Sequence, residues 1–186
     1  MRDINRILCP VDLSDTSRHA ISHAVLLARW YKATITALHV CNPIVIPSTD
    51  FTVVGCRPPP VLTEEELEEV RKQVLECFSS AGALDVDVLL DRGLPSDQIL
   101  DHARSLPADL IVMGTHGAGG FQHLVLGSVA EKVLRQATCP VLTVPPRART
   151  TSTLPFKRLL CPVDFSDSSQ AALQFAFSLA QEAMRS

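Results

Sequence analysis

Asp109-Leu110-Ile111-Val112-Met113-Gly114-Thr115-His116-Gly117-Ala118-Gly119-Gly120, with Gly127-Ser128-Val129-Ala130-Glu131 shortly after it, is the stretch that decides how this chain folds. The apolar run ending at Met113 predicts a strand covered on both faces. Ser128 to Gln136 predicts a helix. A buried strand, a glycine-rich loop and a helix N-terminus in that order make a cradle for phosphate. Glycines let backbone amides come close to an anion, and the helix end supplies N–H groups with no partner in the helix. Five of the eight glycines in the chain fall between Gly114 and Gly127.

Strands and helices alternate on the N-terminal side of this stretch. Arg6 to Asp12 predicts a first strand, and Ser14 to Ser17 supply caps for a helix running to about Tyr31. Ala33 to Val40 predicts a second strand. Asn42 to Leu62 holds Pro43, Pro47, Pro58, Pro59 and Pro60, which exclude a long helix or a central strand. A stretch of that length is expected to be mobile or a lid. Thr63 to Glu66 opens a helix to about Ala81, with its carboxylates where the helix dipole favours them. Leu84 to Leu90 predicts a third strand, and Gly93-Leu94-Pro95 turns into a helix through Arg104. Pro140 to Val144 predicts the fifth strand. This alternation predicts a parallel sheet with right-handed crossovers. Such sheets bind ligands at the carboxyl ends of strands, where the strand order reverses.

Residues 147–156 read as a linker, and beyond them the chain repeats itself. Arg6-Ile7-Leu8-Cys9-Pro10-Val11-Asp12-Leu13-Ser14-Asp15 returns as Arg158-Leu159-Leu160-Cys161-Pro162-Val163-Asp164-Phe165-Ser166-Asp167, at a constant offset of 152. This is an internal duplication. The expected organisation is a complete domain over residues 1–146, a linker over 147–156, and a partial second repeat over 157–186. The repeat would hold one strand, Leu159 to Val163, and one helix.

The net charge is −3 over 186 residues, and no basic field invites nucleic acid. No apolar run reaches the roughly 18 residues that span a bilayer. The first residues lack the apolar core of a signal peptide, so the expected location is cytoplasmic. Cys9, Cys41, Cys56, Cys77, Cys139 and Cys161 form no CxxC pair, and are expected to be buried small apolar residues in a reducing compartment. His19 and His23 stand at metal-pair spacing, but no third ligand follows, which favours a polar helix face.

With Cys9-Pro10-Val11-Asp12-Leu13-Ser14, Leu38-His39-Val40, Gly93-Leu94-Pro95, Asp109 to Gly117, Gly127 to Val133 and Cys139 to Val144 in hand, the chain resembles the universal stress protein family. The resemblance covers residues 4–146, and 157–186 resemble the start of a second domain. The nucleotide-binding branch of that family carries G-x2-G-x9-G-[S/T], and Gly114, Gly117, Gly127 and Ser128 fit it without a gap. The resemblance implies an α/β fold: a doubly wound five-stranded parallel sheet of order 3-2-1-4-5, Rossmann-like and adenine nucleotide alpha hydrolase-like. It also implies ATP as ligand, a homodimer, and a role in stress survival that works by binding nucleotide rather than by fast turnover.

In that strand order the reversal lies between the first and fourth strands, so Asp12 and the glycine loop face each other across one crevice. Asp12 can accept hydrogen bonds from ribose or adenine, or simply turn the chain into the helix at Ser14. By family analogy Val40 gives backbone hydrogen bonds and an apolar wall to adenine, with Pro10 and Met113 lining the same pocket. From the sequence alone Val40 is also an ordinary strand end. Gly114, Gly117 and Gly127 let amides approach phosphate, while Gly119 and Gly120 fit hinge or turn positions. Ser128 can donate to phosphate, or cap the helix with Glu131 in a Ser-x-x-Glu box, or do both; the amides of Val129 and Ala130 still point outward.

No Lys or Arg lies between Gly114 and Glu131. A triphosphate there would rest on backbone dipoles and on a divalent cation, Mg²⁺ or Mn²⁺, held by phosphate oxygens and water. His116 is either a phosphate contact at one remove or a solvated loop histidine. There is no Gly-Lys-[Ser/Thr] P-loop and no kinase signature. The lysine clamps and arginine fingers that speed phosphoryl transfer are missing, so slow hydrolysis at most is expected. A weak ATPase or nucleotidyl transferase is the alternative, as is an interaction module that does not use the pocket. The expected homodimer contact is the apolar edge Val141–Val144.

Overall fold

A computed structural model describes residues 4–41, 62–83, 85–116, 126–146, 156 and 158–183. The Asn42–Leu62 stretch (apart from Leu62), Gly117, Gly119, Gly120 and nearly all of the linker lie outside them. The strands are β1 (Arg6–Pro10), β2 (Thr34–Cys41), β3 (Asp87–Arg92), β4 (Leu110–Gly114) and β5 (Val141–Val144). The helices are α1 (Asp15–Tyr31), α2 (Glu64–Ser80), α3 (Pro95–Ser105), α4 (Ser128–Gln136) and α5 (Asp167–Ala183). The five strands form one sheet of order β3-β2-β1-β4-β5, and every pairing is parallel. This is the expected topology.

Alternation along each strand divides the core into two faces. Ile7, Cys9, Leu110 and Val112 point into one cluster, with Ala20, Ala24 and Val25 of α1 and Val74 and Phe78 of α2. Leu8, Ile111 and Met113 point into the other, with Ile99 and Ala103 of α3 and Ala130 and Val133 of α4. Continuous apolar runs in β1 and β4 follow from this burial on both sides. Cys9 is fully buried, and burial pushes its thiol up to about 12, so it is an inert apolar residue. Cys41 is also buried, whereas Cys139 and Cys161 are only half-buried, contrary to expectation.

The third strand departs from the sequence expectation: it spans Asp87–Arg92, not Leu84–Leu90. As an edge strand it tolerates polar residues, so its apolar pattern is a weak guide. Asp91 is useful there. His102 Nε2 of α3 lies 2.7 Å from Asp91 Oδ2, and this hydrogen bond, then that from the Arg92 amide, lowers the Asp91 pKa. A carboxylate whose folded pKa is depressed adds stability above its unfolded pKa near 4, and loses it as pH falls through the folded value. Asp91→Asn is therefore expected to flatten acid destabilisation below about pH 4, with an effect of at most about 1 kcal/mol for a half-exposed pair. Urea unfolding of both proteins across that range checks it.

The second repeat is a helix without its strand. α5 forms as expected, but residues 158–164 carry no strand, and Leu160 is 96% exposed. A strand needs a neighbour to take its backbone hydrogen bonds, and β1 already holds the place between β2 and β4. The turn into α5 still copies the turn into α1. Leu13 and Phe165 have φ of 62° and 66°. The Ser14 amide donates to Asp12 Oδ1 at 3.1 Å, and the Ser166 amide to Asp164 Oδ1 at 3.0 Å. Hydrogen bonds from Ser166 hold the Asp164 carboxyl down to about 2.

Candidate functional site

The crevice begins where β1 stops. β1 pairs with β2 through Pro10↔Leu38, but its register with β4 covers only Ile7↔Leu110 and Leu8↔Ile111. Val11 N–H donates to the Leu38 carbonyl at 2.9 Å. Backbone groups alternate sides along a strand, so Pro10 turns its nitrogen toward β4, and that nitrogen carries no hydrogen. β1 and β4 therefore part at their carboxyl ends, at the reversal of strand order. Val40 lies two residues beyond Leu38, so its amide and carbonyl face the same side, where β1 has ended. Met113 is buried among Leu8, Leu38 and Ile111 beneath the crevice.

Asp12 is not the end of the first strand, as the sequence suggested. β1 ends at Pro10, and exposed Asp12 sits in the turn before α1. Its Oδ1 accepts from the Ser14 amide at 3.1 Å and from Ser14 Oγ at 2.6 Å. The turn role thus holds, with the carboxylate still at the solvent side of the crevice.

The opposite lip is built from β4 and α4. Gly114 is the last residue of β4 rather than the first of a loop. A Cβ there would come to 3.1 Å from Thr16 Cγ2 and 3.2 Å from the His116 carbonyl, so its small size brings the first turn of α1 against the end of β4. Thr115 donates its amide to Val144 at 3.0 Å, and its carbonyl accepts from the Gly127 amide at 2.7 Å. That bond fastens the start of α4 to the end of β4. A Cβ on Gly127 would meet the Thr115 carbonyl at 3.1 Å.

Gly127, not Ser128, is the N-cap of α4, and no side chain caps it. The Ser-x-x-Glu capping box is therefore absent. Glu131 instead accepts from Arg135 Nη2 at 2.9 Å. Exposed Ser128 and half-buried Val129 stand in the first turn, whose amides have no partner inside the helix. Gly114 and Gly127 thus let the end of β4, the first turn of α1 and the start of α4 pack closely, beside the positive end of the α4 dipole. The cations that follow are engaged elsewhere: Lys132 Nζ lies 2.5 Å from Asp97 Oδ1, and Arg135 pairs with Glu131. Thr115 Oγ1 lies 2.9 Å from His116 Nδ1. Among the described residues no group of three or more His, Cys, Asp or Glu could hold a metal ion. Arg92, on outer strand β3, donates to the Leu62 carbonyl at 3.3 Å.

The sequence missed the contribution of Thr115. Its role is carried by its backbone, which no residue-type pattern reports. Among the described residues, no helix is long and apolar enough to cross a membrane.

Residues 3–145 match the model of the Universal stress protein family. Over 146 residues the chain is 33% identical to universal stress protein YxiE of Bacillus subtilis, covering 75% of this chain and 98% of that protein. Over 140 residues it is 36% identical to universal stress protein MJ0531 of Methanocaldococcus jannaschii, covering 75% and 81%. Its fold is similar to that of a universal stress protein solved in complex with cAMP, with a TM-score of 0.57, 22% identity, and coverage of 77% of this chain and 98% of that one. It is likewise similar to the universal stress protein from Archaeoglobus fulgidus in complex with dAMP, with a TM-score of 0.52, 23% identity, and coverage of 77% and 98%.

Proposed function

Because this chain belongs to the universal stress protein family, we propose that the crevice between β1 and β4 holds an adenine nucleotide, ATP in the first instance. The protein acts as a cytoplasmic nucleotide-dependent regulator in the stress response. The observation that carries this reading is the bond from Gly127 N–H to the Thr115 carbonyl at 2.7 Å, which fastens the uncapped end of α4 beside the end of β4. Two structural neighbours described with cAMP and dAMP support the same ligand class. Pro10, Val40 and Met113 form the adenine side, and Asp12 accepts from ribose. Gly114, Gly117, Gly127, Ser128 and Val129 form the phosphate side.

The chemistry favours holding over turnover. Phosphoryl transfer depends on positive charge at the transferred group. Lys132 and Arg135 are engaged with carboxylates, and no cation lies in the loop sequence. Mg²⁺ or Mn²⁺ would bind through phosphate oxygens and water, and would supply the charge neutralisation that the side chains lack. Two copies associate through the outer edge of β5, where Val141, Leu142 and Thr143 are half-exposed.

Purified protein, denatured and extracted, tests the proposal. Adenine nucleotide is expected in the extract, or bound after incubation with ATP and Mg²⁺, with chelator weakening ATP far more than AMP. Rapid metal-dependent turnover lost in Ser128→Ala would move the assignment to an enzyme.

A further inference from the structure

The second repeat carries the residue pattern that is buried in β1 and α1 but leaves it unburied. Twelve residues between Ile4 and Ala28 are buried, and eight of them recur unchanged 152 positions on. The other four, Ile4, Ile7, Ile21 and Val25, have Phe156, Leu159, Leu173 and Phe177 as counterparts, all apolar. None of the twelve counterparts is buried: five are exposed and seven are half-buried. Leu8 is 1% exposed and Leu160 96%; Val25 is 2% exposed and Phe177 60%. A solvated helix would not be expected to preserve a buried pattern of this kind, since exposed apolar side chains gain nothing there.

We propose that residues 156–183 are a second occupant of the slot that residues 4–31 hold in the sheet, and take it within the same chain when the N-terminal copy leaves. Three observations fit the exchange. The turn into α5 already has the conformation of the turn into α1, with matching hydrogen bonds from Ser14 and Ser166. Phe156, the counterpart of Ile4, packs against the same core cluster, and so does Phe175, which lines a cavity with Ile4, Asp109 and Pro140 beside the N-terminal ends of the strands. Thr16, the residue closest to where a Cβ on Gly114 would lie, has the smaller Ser168 as its counterpart, so the approach to β4 is preserved.

Reach does not forbid it. Eleven residues separate Val144 from Phe156, and a chain of that length extends to about 36 Å. Crossing a strand length and two strand spacings needs roughly 17 Å along the strands and about 10 Å across them. Tethering also gives the segment in the same chain a concentration advantage over one in a second copy. Phe177 in the space of Val25 overfills the core, which favours the N-terminal copy by roughly 5- to 150-fold. The exchanged form would offer Pro162 and Asp164 at the positions of Pro10 and Asp12.

A mutant cycle on the full chain tests this. Leu160→Asp alone is expected to change nothing. Leu8→Asp alone is expected to leave a folded protein with a lowered thermal midpoint, in which Cys9 becomes reactive to a thiol reagent and Cys161 becomes protected. Adding Phe177→Val to Leu8→Asp should raise the midpoint again. Leu8→Asp with Leu160→Asp should not fold. If Leu8→Asp alone is as unstable as the double variant, the proposal is wrong. A folded Leu8→Asp protein whose Cys161 stays reactive also overturns it. So does rescue that depends on protein concentration, which would put the segment in a second copy.

Discussion

Asp12→Ala is expected to weaken adenine-nucleotide binding by about 10- to 150-fold, the worth of a hydrogen bond to a charged group, roughly 1.5–3 kcal/mol. Asp12 has two jobs that the variant removes together. One is the turn, where Oδ1 accepts from the Ser14 amide and hydroxyl. The other is the proposed contact to ribose. Ser14→Ala separates them, because it takes away the hydroxyl partner and leaves the carboxylate. If Ser14→Ala binds nucleotide normally while Asp12→Ala does not, the carboxylate contacts ligand. Equal losses in the two would reduce Asp12 to a turn residue. Ser14 is also the N-cap of α1, so its loss should lower stability by about 1 kcal/mol without touching affinity.

Phe78→Ala is expected to cost about 3–5 kcal/mol, and to lower the thermal midpoint by about 10 °C. α2 is a strongly charged helix with only two buried residues, Val74 and Phe78, and both are fully enclosed. Phe78 therefore carries much of what fastens α2 to α1 and the sheet. Its carbonyl also accepts from the amides of Ala81 and Ala83 at the end of the helix. The cavity left behind is bounded by a sheet and by α1, neither of which can collapse into it freely. Calorimetry checks the size of the effect. A loss below 1 kcal/mol would mean that α2 is held mainly by its capping box, in which Thr63 and Glu66 satisfy one another.

How much of this was legible in the sequence depended on where the controlling interaction lay. α4 was predicted with its observed bounds, because Gly127 and Gln136 bracket a clear helical period. The strand order came from a family resemblance and agrees with the observed sheet. β3 was misplaced because only one neighbour constrains an edge strand. The capping role of Ser128 failed by a single residue. Gly127 is pulled into the cap position by its amide bond to Thr115, a backbone contact between residues 12 apart that no local pattern encodes. The absent strand at Leu159–Val163 is the same lesson on a larger scale: its sequence differs from that of β1 only by Leu159 for Ile7, but pairing depends on a vacant neighbour. Asp12, Gly114 and Gly127 stood out as candidates from residue type and place in the chain. The parting of β1 from β4 at Pro10 needed the register.

Isothermal titration of the full chain with ATP in the presence of Mg²⁺ tests the central claim most directly. The account predicts saturable binding at one site per chain, because the glycine cradle occurs once, with competition by other adenine nucleotides. No binding at millimolar ATP, or two sites per chain, would contradict it.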